Sequence, residues 1–170
     1  HYFDGMGRME PIRQLLTHAK VEYTEVKYSF EEYAKAKATG IFEWGQVPAI
    51  EHEGAVYTQT QAMFRFLGSQ HGYYPKEAAP AYKVDSRIDA VNDLGQQFYK
   101  FGPFAQVAED VKEKNYQEFI AGFFPRWCTA IENRIKANTN PNFLVGDSFT
   151  IADFALGGFF TTNFYNPLNT

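Results

Sequence analysis

The dipeptide Val47-Pro48 constrains this 170-residue chain more than any other feature. It heads an apolar run, residues 47–51, that reads as a buried strand. Proline has no N–H to give to a sheet ladder and is normally confined to strand starts, edges and bulges. The conflict resolves if the strand begins at the proline and the Val47-Pro48 peptide is cis, a form that X-Pro bonds adopt at modest cost. That geometry turns the N–H and C=O of Val47 toward an open cleft, where they can pair with an extended peptide. Glu53-Gly54 then makes a tight turn, residues 55–58 a second strand, and Gln59-Thr60 opens a helix. A helix start with free N–H groups attracts anions. The stretch therefore reads as a peptide-backbone clamp beside a carboxylate site.

The flanking sequence alternates element types. A short strand ends near Tyr2-Phe3, Gly5-Met6-Gly7 makes a turn, and Pro11 fits the first turn of a helix with Ile12, Leu15, Leu16 and Ala19 on one face. Residues 21–28 alternate well enough for a strand, and residues 35–39 suit a short solvated helix or loop. Residues 60–68 read as a helix with Ala62, Met63, Phe66 and Leu67 inward. The order is βαβ-(α)-ββα, a small mixed sheet with helices on both sides.

From Tyr74-Pro75 onward the strand pattern stops. Val84, Ile88, Val91, Leu94 and Phe98 fall at helical spacing, as do Tyr116, Phe119, Ile120, Phe123, Phe124, Trp127, Ile131 and Ile135. The boundary lies in the polar stretch 73–80 and divides an α/β domain, residues 1–73, from an all-helical one, residues 80–170. Thr150 and Asp153 form a capping box at a helix start, with Phe149 and Phe154 as its hydrophobic staple.

Composition narrows the function classes. Net charge is −4 with acidic and basic residues interleaved, which predicts neither nucleic-acid nor anionic-membrane binding. Cys128 is the sole cysteine, so an intrachain disulfide and a CxxC redox motif are both excluded. No apolar run is long enough to span a bilayer. His18, His52 and His71 lack acidic or cysteine partners at ligand spacing, which argues against a metal. The 17 Phe and 11 Tyr suit a large core or a pocket for a flat ligand. The chain opens on His1 without an initiator Met and stops soon after a strongly apolar helix begins, so it reads as a fragment truncated at both ends.

Three segments carry a family resemblance. Tyr2-Phe3-Asp4-Gly5-Met6-Gly7-Arg8-Met9-Glu10 is similar to the opening of tyrosine-type cytosolic glutathione transferases, nearest the alpha and sigma classes. Residues 45–67 resemble the glutathione-binding half of that family, and residues 144–154 resemble the folding motif of its helical domain. The resemblance implies an α/β thioredoxin-like N-terminal domain followed by an all-α C-terminal domain, with glutathione as co-substrate. It implies a cytoplasmic homodimer that takes a small hydrophobic electrophile.

The resemblance also assigns roles. Tyr2 would donate a hydrogen bond to the glutathione sulfur, with Arg8 supplying positive charge. The physics supports this, because a free thiol is mostly protonated at neutral pH and fixed donors stabilise the thiolate. Gln59 and Thr60 would hold the γ-glutamyl end, Val47 and Pro48 the cysteinyl backbone, and Gln46 the peptide from the adjoining loop. Lys37 stands where the alpha class has an arginine for the glycyl carboxylate; as a point charge it orients less than a fork does, and a plain surface lysine is the other reading. Trp44 falls where an aromatic key enters the partner subunit, although a tryptophan there can equally pack at home. Arg126 aligns with an arginine near the dimer seam, and Gln97 replaces a common aspartate that reaches across it.

The implied activity is activation of the glutathione thiol for attack on apolar electrophiles. Two alternatives stay open. One is a glutathione-dependent isomerase such as a sigma-like prostaglandin synthase. The other is a non-catalytic crystallin-like or ligand-carrying relative.

Overall fold

In the computed structural model, residues 1–166 are described; residues 167–170, the tail of the expected helical domain, lie outside the described residues. Strand β1 (Tyr2–Phe3) pairs in parallel with β2 (Lys27–Tyr28), Tyr2 standing opposite Lys27. β3 (Ala49–His52) and β4 (Ala55–Thr58) form an antiparallel hairpin with Ala49 opposite Thr58. The two pairs form separate two-stranded sheets, and His1, just ahead of β1, links them by exchanging backbone hydrogen bonds of 3.0 and 3.1 Å with Ala49 of β3. β3 starts one residue past Pro48, and the Val47–Pro48 peptide is cis.

Two segments differ from expectation on this side of the molecule. Residues 21–26 are not strand, although they alternate, because the two-residue β1 registers with Lys27 and Tyr28 and meets this segment at its last residue, where the Val26 carbonyl accepts from the Tyr2 N–H at 3.0 Å. Helix α2 (Phe30–Ala38) begins well before residue 35, since Ser29 and Glu32 cap it reciprocally: the Glu32 N–H donates to Ser29 Oγ at 3.2 Å and the Ser29 N–H to Glu32 Oε2 at 2.8 Å.

Helix α1 (Glu10–His18) carries Pro11 in its first turn and buries Ile12, Leu15 and Leu16 as its spacing predicts. Helix α3 (Thr60–His71) runs past residue 68 to a left-handed Gly72 with φ 81°. Its inward face is Met63, Phe64, Leu67 and Gly68, while Ala62 is exposed and Phe66 half-buried. The buried stripe runs through residues 63, 64, 67 and 68, and residue 62 stands about 100° further around the helix from residue 63, off that stripe.

The remaining elements are helical. In α4 (Ala78–Phe98), Val84, Ile88, Val91, Leu94 and Phe98 are all buried. Burying each such side chain contributes about 1.5–3 kcal/mol. The expected continuous stripe from Tyr116 to Ile135 is instead two helices, α5 (Glu109–Glu118) and α6 (Phe124–Lys136), joined by a π-helical turn at Phe119–Phe123. Pro125 has no N–H for the helical ladder, and the wide turn resets the phase ahead of it. Phe119, Trp127 and Ile131 thus face inward while Tyr116 and Ile120 are exposed.

Helix α7 (Ile151–Asn163) closes the core against α1 and α4. A side chain at Gly158 would collide with Pro11, so glycine sets the close approach of α7 to α1. The Asp153 carboxylate accepts from the Thr150 N–H and hydroxyl at 2.8 and 2.9 Å and from the Leu144 N–H at 2.8 Å. Phe149 and Phe154 stack at 5.6 Å on either side of that cap.

Candidate functional site

Tyr2 ends β1, and the chain turns back over it at once. The Arg8 backbone N–H donates to the Tyr2 hydroxyl oxygen at 3.1 Å. Gly7 makes this closure possible: its φ of 47° is left-handed, and a side chain there would collide with the Tyr2 hydroxyl. Burial pushes the Tyr2 phenol above its ordinary value, and the Arg8 N–H partly offsets the rise. A phenol held neutral keeps its proton, and among the described residues no acceptor takes it. Tyr2 is therefore a donor in waiting.

Arg13 on α1 fixes the turn from below. Its Nη1 donates to the Gly5 carbonyl at 2.9 Å and the Met6 carbonyl at 3.3 Å, while its Nε pairs with Glu25. The Thr162 hydroxyl on α7 donates to the Gly7 carbonyl at 3.3 Å. The turn is thus held by both halves of the molecule. Sequence reasoning missed Arg13; its signal was an arginine one residue past the buried Ile12, too close to the core side to be an ordinary surface charge.

A cleft of about 310 Å³ opens between the sheet half and the helical half. Arg8, Gln59 and Thr60 meet there with Gln61, Asn92, Gln96 and Tyr99. The Arg8 guanidinium lies 5.7 Å from the Tyr99 ring centre, a cation–π contact, and has no carboxylate partner among the described residues. Gln59 adopts a left-handed φ of 68° with ψ 104°, costly for a side-chain-bearing residue, at the mouth of α3. The cleft combines an unneutralised cation, a helix N-terminus and hydroxyl and amide groups, a combination suited to an anionic peptide.

Lys37 is exposed, and its aliphatic stem packs on Gly45, whose carbonyl accepts from the Tyr33 hydroxyl at 2.7 Å. Gln46 is exposed, Val47 half-buried and Pro48 buried, so the clamp segment runs from the surface into the sheet. Trp44, just ahead of it, is 61% exposed. Gln97 lies outside the cleft lining and accepts from Lys100 Nζ at 2.8 Å. Arg126 is exposed on α6, its Nε donating to the Gly122 carbonyl at 3.2 Å, also outside the cleft. Tyr2 is not among the residues lining this cleft; its hydroxyl lies behind the cleft-lining Gly7 and Arg8, and Tyr2 lines a second cavity of about 440 Å³ between residues 21–27 and the β3–β4 turn.

With this geometry, the chain's kinships can be stated. Residues 1–69 match the family model of the glutathione S-transferase N-terminal domain, and residues 92–168 that of the glutathione S-transferase C-terminal domain. Glutathione S-transferase A4 of Mus musculus is 33% identical over 157 residues, covering 92% of this chain and 69% of that protein. Among solved structures, prostaglandin synthase D of Nilaparvata lugens superposes with a TM-score of 0.81 at 25% identity, covering 93% of this chain and 76% of that one. Monomeric Na-GST-3, a glutathione S-transferase from the hookworm Necator americanus, gives a TM-score of 0.76 at 30% identity, covering 91% and 75%.

Proposed function

The chain belongs to the glutathione S-transferase family, and from that premise we propose that Tyr2 and Arg8 activate the thiol of glutathione for attack on hydrophobic electrophiles. The single observation that carries the reading is the Tyr2 hydroxyl, locked by the Arg8 N–H at 3.1 Å with its own proton uncommitted. That proton points the phenol at an anion: the sulfur, once ionised, accepts it as a hydrogen bond and its thiolate is stabilised without reorganisation. The C–S bond then forms as the leaving group departs with its electron pair, and the thiol proton passes to water.

Gln59 and Thr60 hold the γ-glutamyl end at the α3 N-terminus, while Val47 pairs with the cysteinyl backbone beside Pro48. Gln46 steadies the peptide, and Lys37 meets the glycyl carboxylate from its perch on Gly45. The division is a thioredoxin-like domain over residues 1–73 and a helical domain from residue 80. Gln97 and Arg126 lie outside the cleft of their own chain, so their ligand contacts belong to a homodimer in which each subunit serves its partner's site, with Trp44 as the anchor. Xenobiotic detoxification in the cytoplasm fits this chemistry, and no helix among the described residues is long and apolar enough to cross a membrane.

A second reading, isomerisation with glutathione as a true cofactor, is favoured by the likeness to a prostaglandin synthase D structure. Retention on a glutathione-affinity column and turnover of a chromogenic aryl halide test the first reading. Loss of one glutathione per product marks a transferase, and full recovery of glutathione marks an isomerase. Neither retention nor turnover would refute both.

A further inference from the structure

Arg8 gives the cleft its cation, and a cation acts on a reacting group only where it is held. The Arg8 main chain is fixed by the bond from its N–H to the Tyr2 hydroxyl oxygen at 3.1 Å. The side chain is held differently: among the described residues the guanidinium makes no hydrogen bond and no ion pair. An untethered arginine spreads over many rotamers and carries its charge into solvent, where water and salt screen it.

What the guanidinium does meet is Tyr99, whose ring centre lies 5.7 Å from its central carbon. That is inside the roughly 6 Å over which a ring face attracts a cation. Tyr99 caps the C-terminus of α4, its N–H donating to the Gly95 carbonyl at 2.9 Å. The ring lies back along the helix, its edge 3.8 Å from the point where a side chain at Gly95 would begin. Arg8, Gly95 and Tyr99 all line the cleft, and Tyr99 is 40% exposed, so its ring is not core. The Tyr2 phenol registers both neighbours. Burial is the main cause of its raised pKa; beyond the Arg8 N–H, the Tyr99 phenol pushes the value up and the Arg8 cation pulls it down. Three groups from two halves of the molecule thus share one electrostatic neighbourhood.

Resting on the reading of Tyr2 and Arg8 as the thiol-activating pair, we propose that Tyr99 is a positioning residue: its ring face holds the Arg8 guanidinium in the cleft and so keeps positive charge where the glutathione thiolate forms. Tyr99 touches neither glutathione nor electrophile in this role. The work belongs to the ring face and not to the hydroxyl, which separates it from a contact that only ties the two halves together.

The test is the ionisation of bound glutathione, followed by the ultraviolet absorbance of its thiolate against pH, with the same protein saturated with S-methylglutathione as the baseline. In the intact protein the bound thiol should ionise below the free-thiol value of about 8.5. Tyr99→Leu should raise that pKa by about 0.3–0.7, a loss of about two- to fivefold in thiolate and the scale of one cation–π contact. Tyr99→Phe keeps the face and should recover most of the effect. Pentafluorophenylalanine at position 99 keeps the shape but reverses the sign of the face, so it should raise the pKa at least as far as leucine; it decides the matter if the leucine variant fails to fold. In an Arg8→Leu background Tyr99→Leu should add nothing, because the group it positions is gone. A contact that only ties the halves together would lower the melting temperature and leave the bound thiol's pKa unmoved. That result, or an equal rise with and without Arg8, overturns the assignment while leaving the glutathione reading intact. Failure of the intact protein to bind glutathione, or a bound thiol that ionises no earlier than a free one, overturns the glutathione reading itself and this inference with it.

Discussion

The backbone N–H of Arg8 reaches the Tyr2 hydroxyl oxygen across 3.1 Å, so the residue that supplies the cleft's cation also sets the position of the phenol behind the cleft wall. The side chain lies over the Tyr99 ring, and the main-chain N–H donates to the phenol oxygen, which leaves the phenol its own O–H to donate.

Tyr2→Phe removes the donor and leaves the peptide clamp untouched. Turnover at pH 7 should fall roughly 10²-fold, the scale of losing one donor to a developing anion. The KM for glutathione should hardly move. Steady-state kinetics check both, and unchanged turnover removes Tyr2 from the mechanism.

Burial raises the Tyr2 pKa above the ordinary phenol value of 10.0, and this has a definite sign. The buried ring favours the neutral form, so its contribution to stability is fully present below pH 10 and is lost as pH rises through the higher folded value. Any rise in turnover between neutral and mildly alkaline pH should therefore follow the bound thiol rather than the phenol. An ultraviolet difference titration against Tyr2→Phe should show this phenolate appearing later than a free tyrosine's.

Gly7→Ala should cost more than glycine replacement elsewhere in the same turn. The φ of 47° alone costs about 1–2 kcal/mol for an L-residue, and the new methyl group would meet the Tyr2 hydroxyl. Gly5→Ala is the control, since nothing lies within 4 Å of a side chain there. Urea denaturation should separate the two, and turnover should fall in Gly7→Ala because the phenol is displaced.

Much of this architecture was legible in the residues because it depends on local spacing. The α4 stripe from Val84 to Phe98 is buried throughout, and Thr150 with Asp153 starts α7 where the pattern put it. What escaped depends on partners distant in sequence. The alternation of residues 21–26 promised a strand, but alternation supplies a face, not a neighbouring strand, and β1 reaches back only as far as the Val26 carbonyl. The stripe through Phe119 to Ile135 looked continuous because no spacing rule marks the inserted wide turn, and Pro125 was its one visible sign. The Ser29–Glu32 box was written in the chain and could have extended α2 back to Phe30. At the site, Arg8, Gln59 and Thr60 were readable from motif order. Tyr99 and Asn92 reach the cleft only because α4 crosses it, a fact of tertiary packing.

Asp153→Ala leaves three donors without their acceptor: the Thr150 N–H, the Thr150 hydroxyl and the Leu144 N–H. Thr150 is itself buried, so water replaces these bonds poorly. The expected loss is about 1–3 kcal/mol in urea denaturation. Asp153→Asn, which keeps an acceptor oxygen, should recover part of it. A loss under 0.5 kcal/mol, the range of surface substitutions, would show that the cap is ornamental.

Trp44 is 61% exposed beside the loop that carries the clamp, an unusual place for the largest apolar side chain. It precedes Gly45, whose carbonyl is held by the Tyr33 hydroxyl at 2.7 Å and whose α-carbon supports the Lys37 stem. Covering Trp44 with a second copy would therefore order the segment that leads to Gln46 and Val47. Buried tryptophans are typical anchors of interfaces, and truncating one costs about 2 kcal/mol or more. Two outcomes are expected together for Trp44→Ala: sedimentation shifts toward monomer, and glutathione affinity falls. A variant that stays fully dimeric at low micromolar concentration places the anchor elsewhere. One that becomes monomeric yet binds glutathione as tightly as before uncouples the clamp from the seam, and an intact protein that sediments as a monomer, like the monomeric hookworm Na-GST-3, removes the seam altogether.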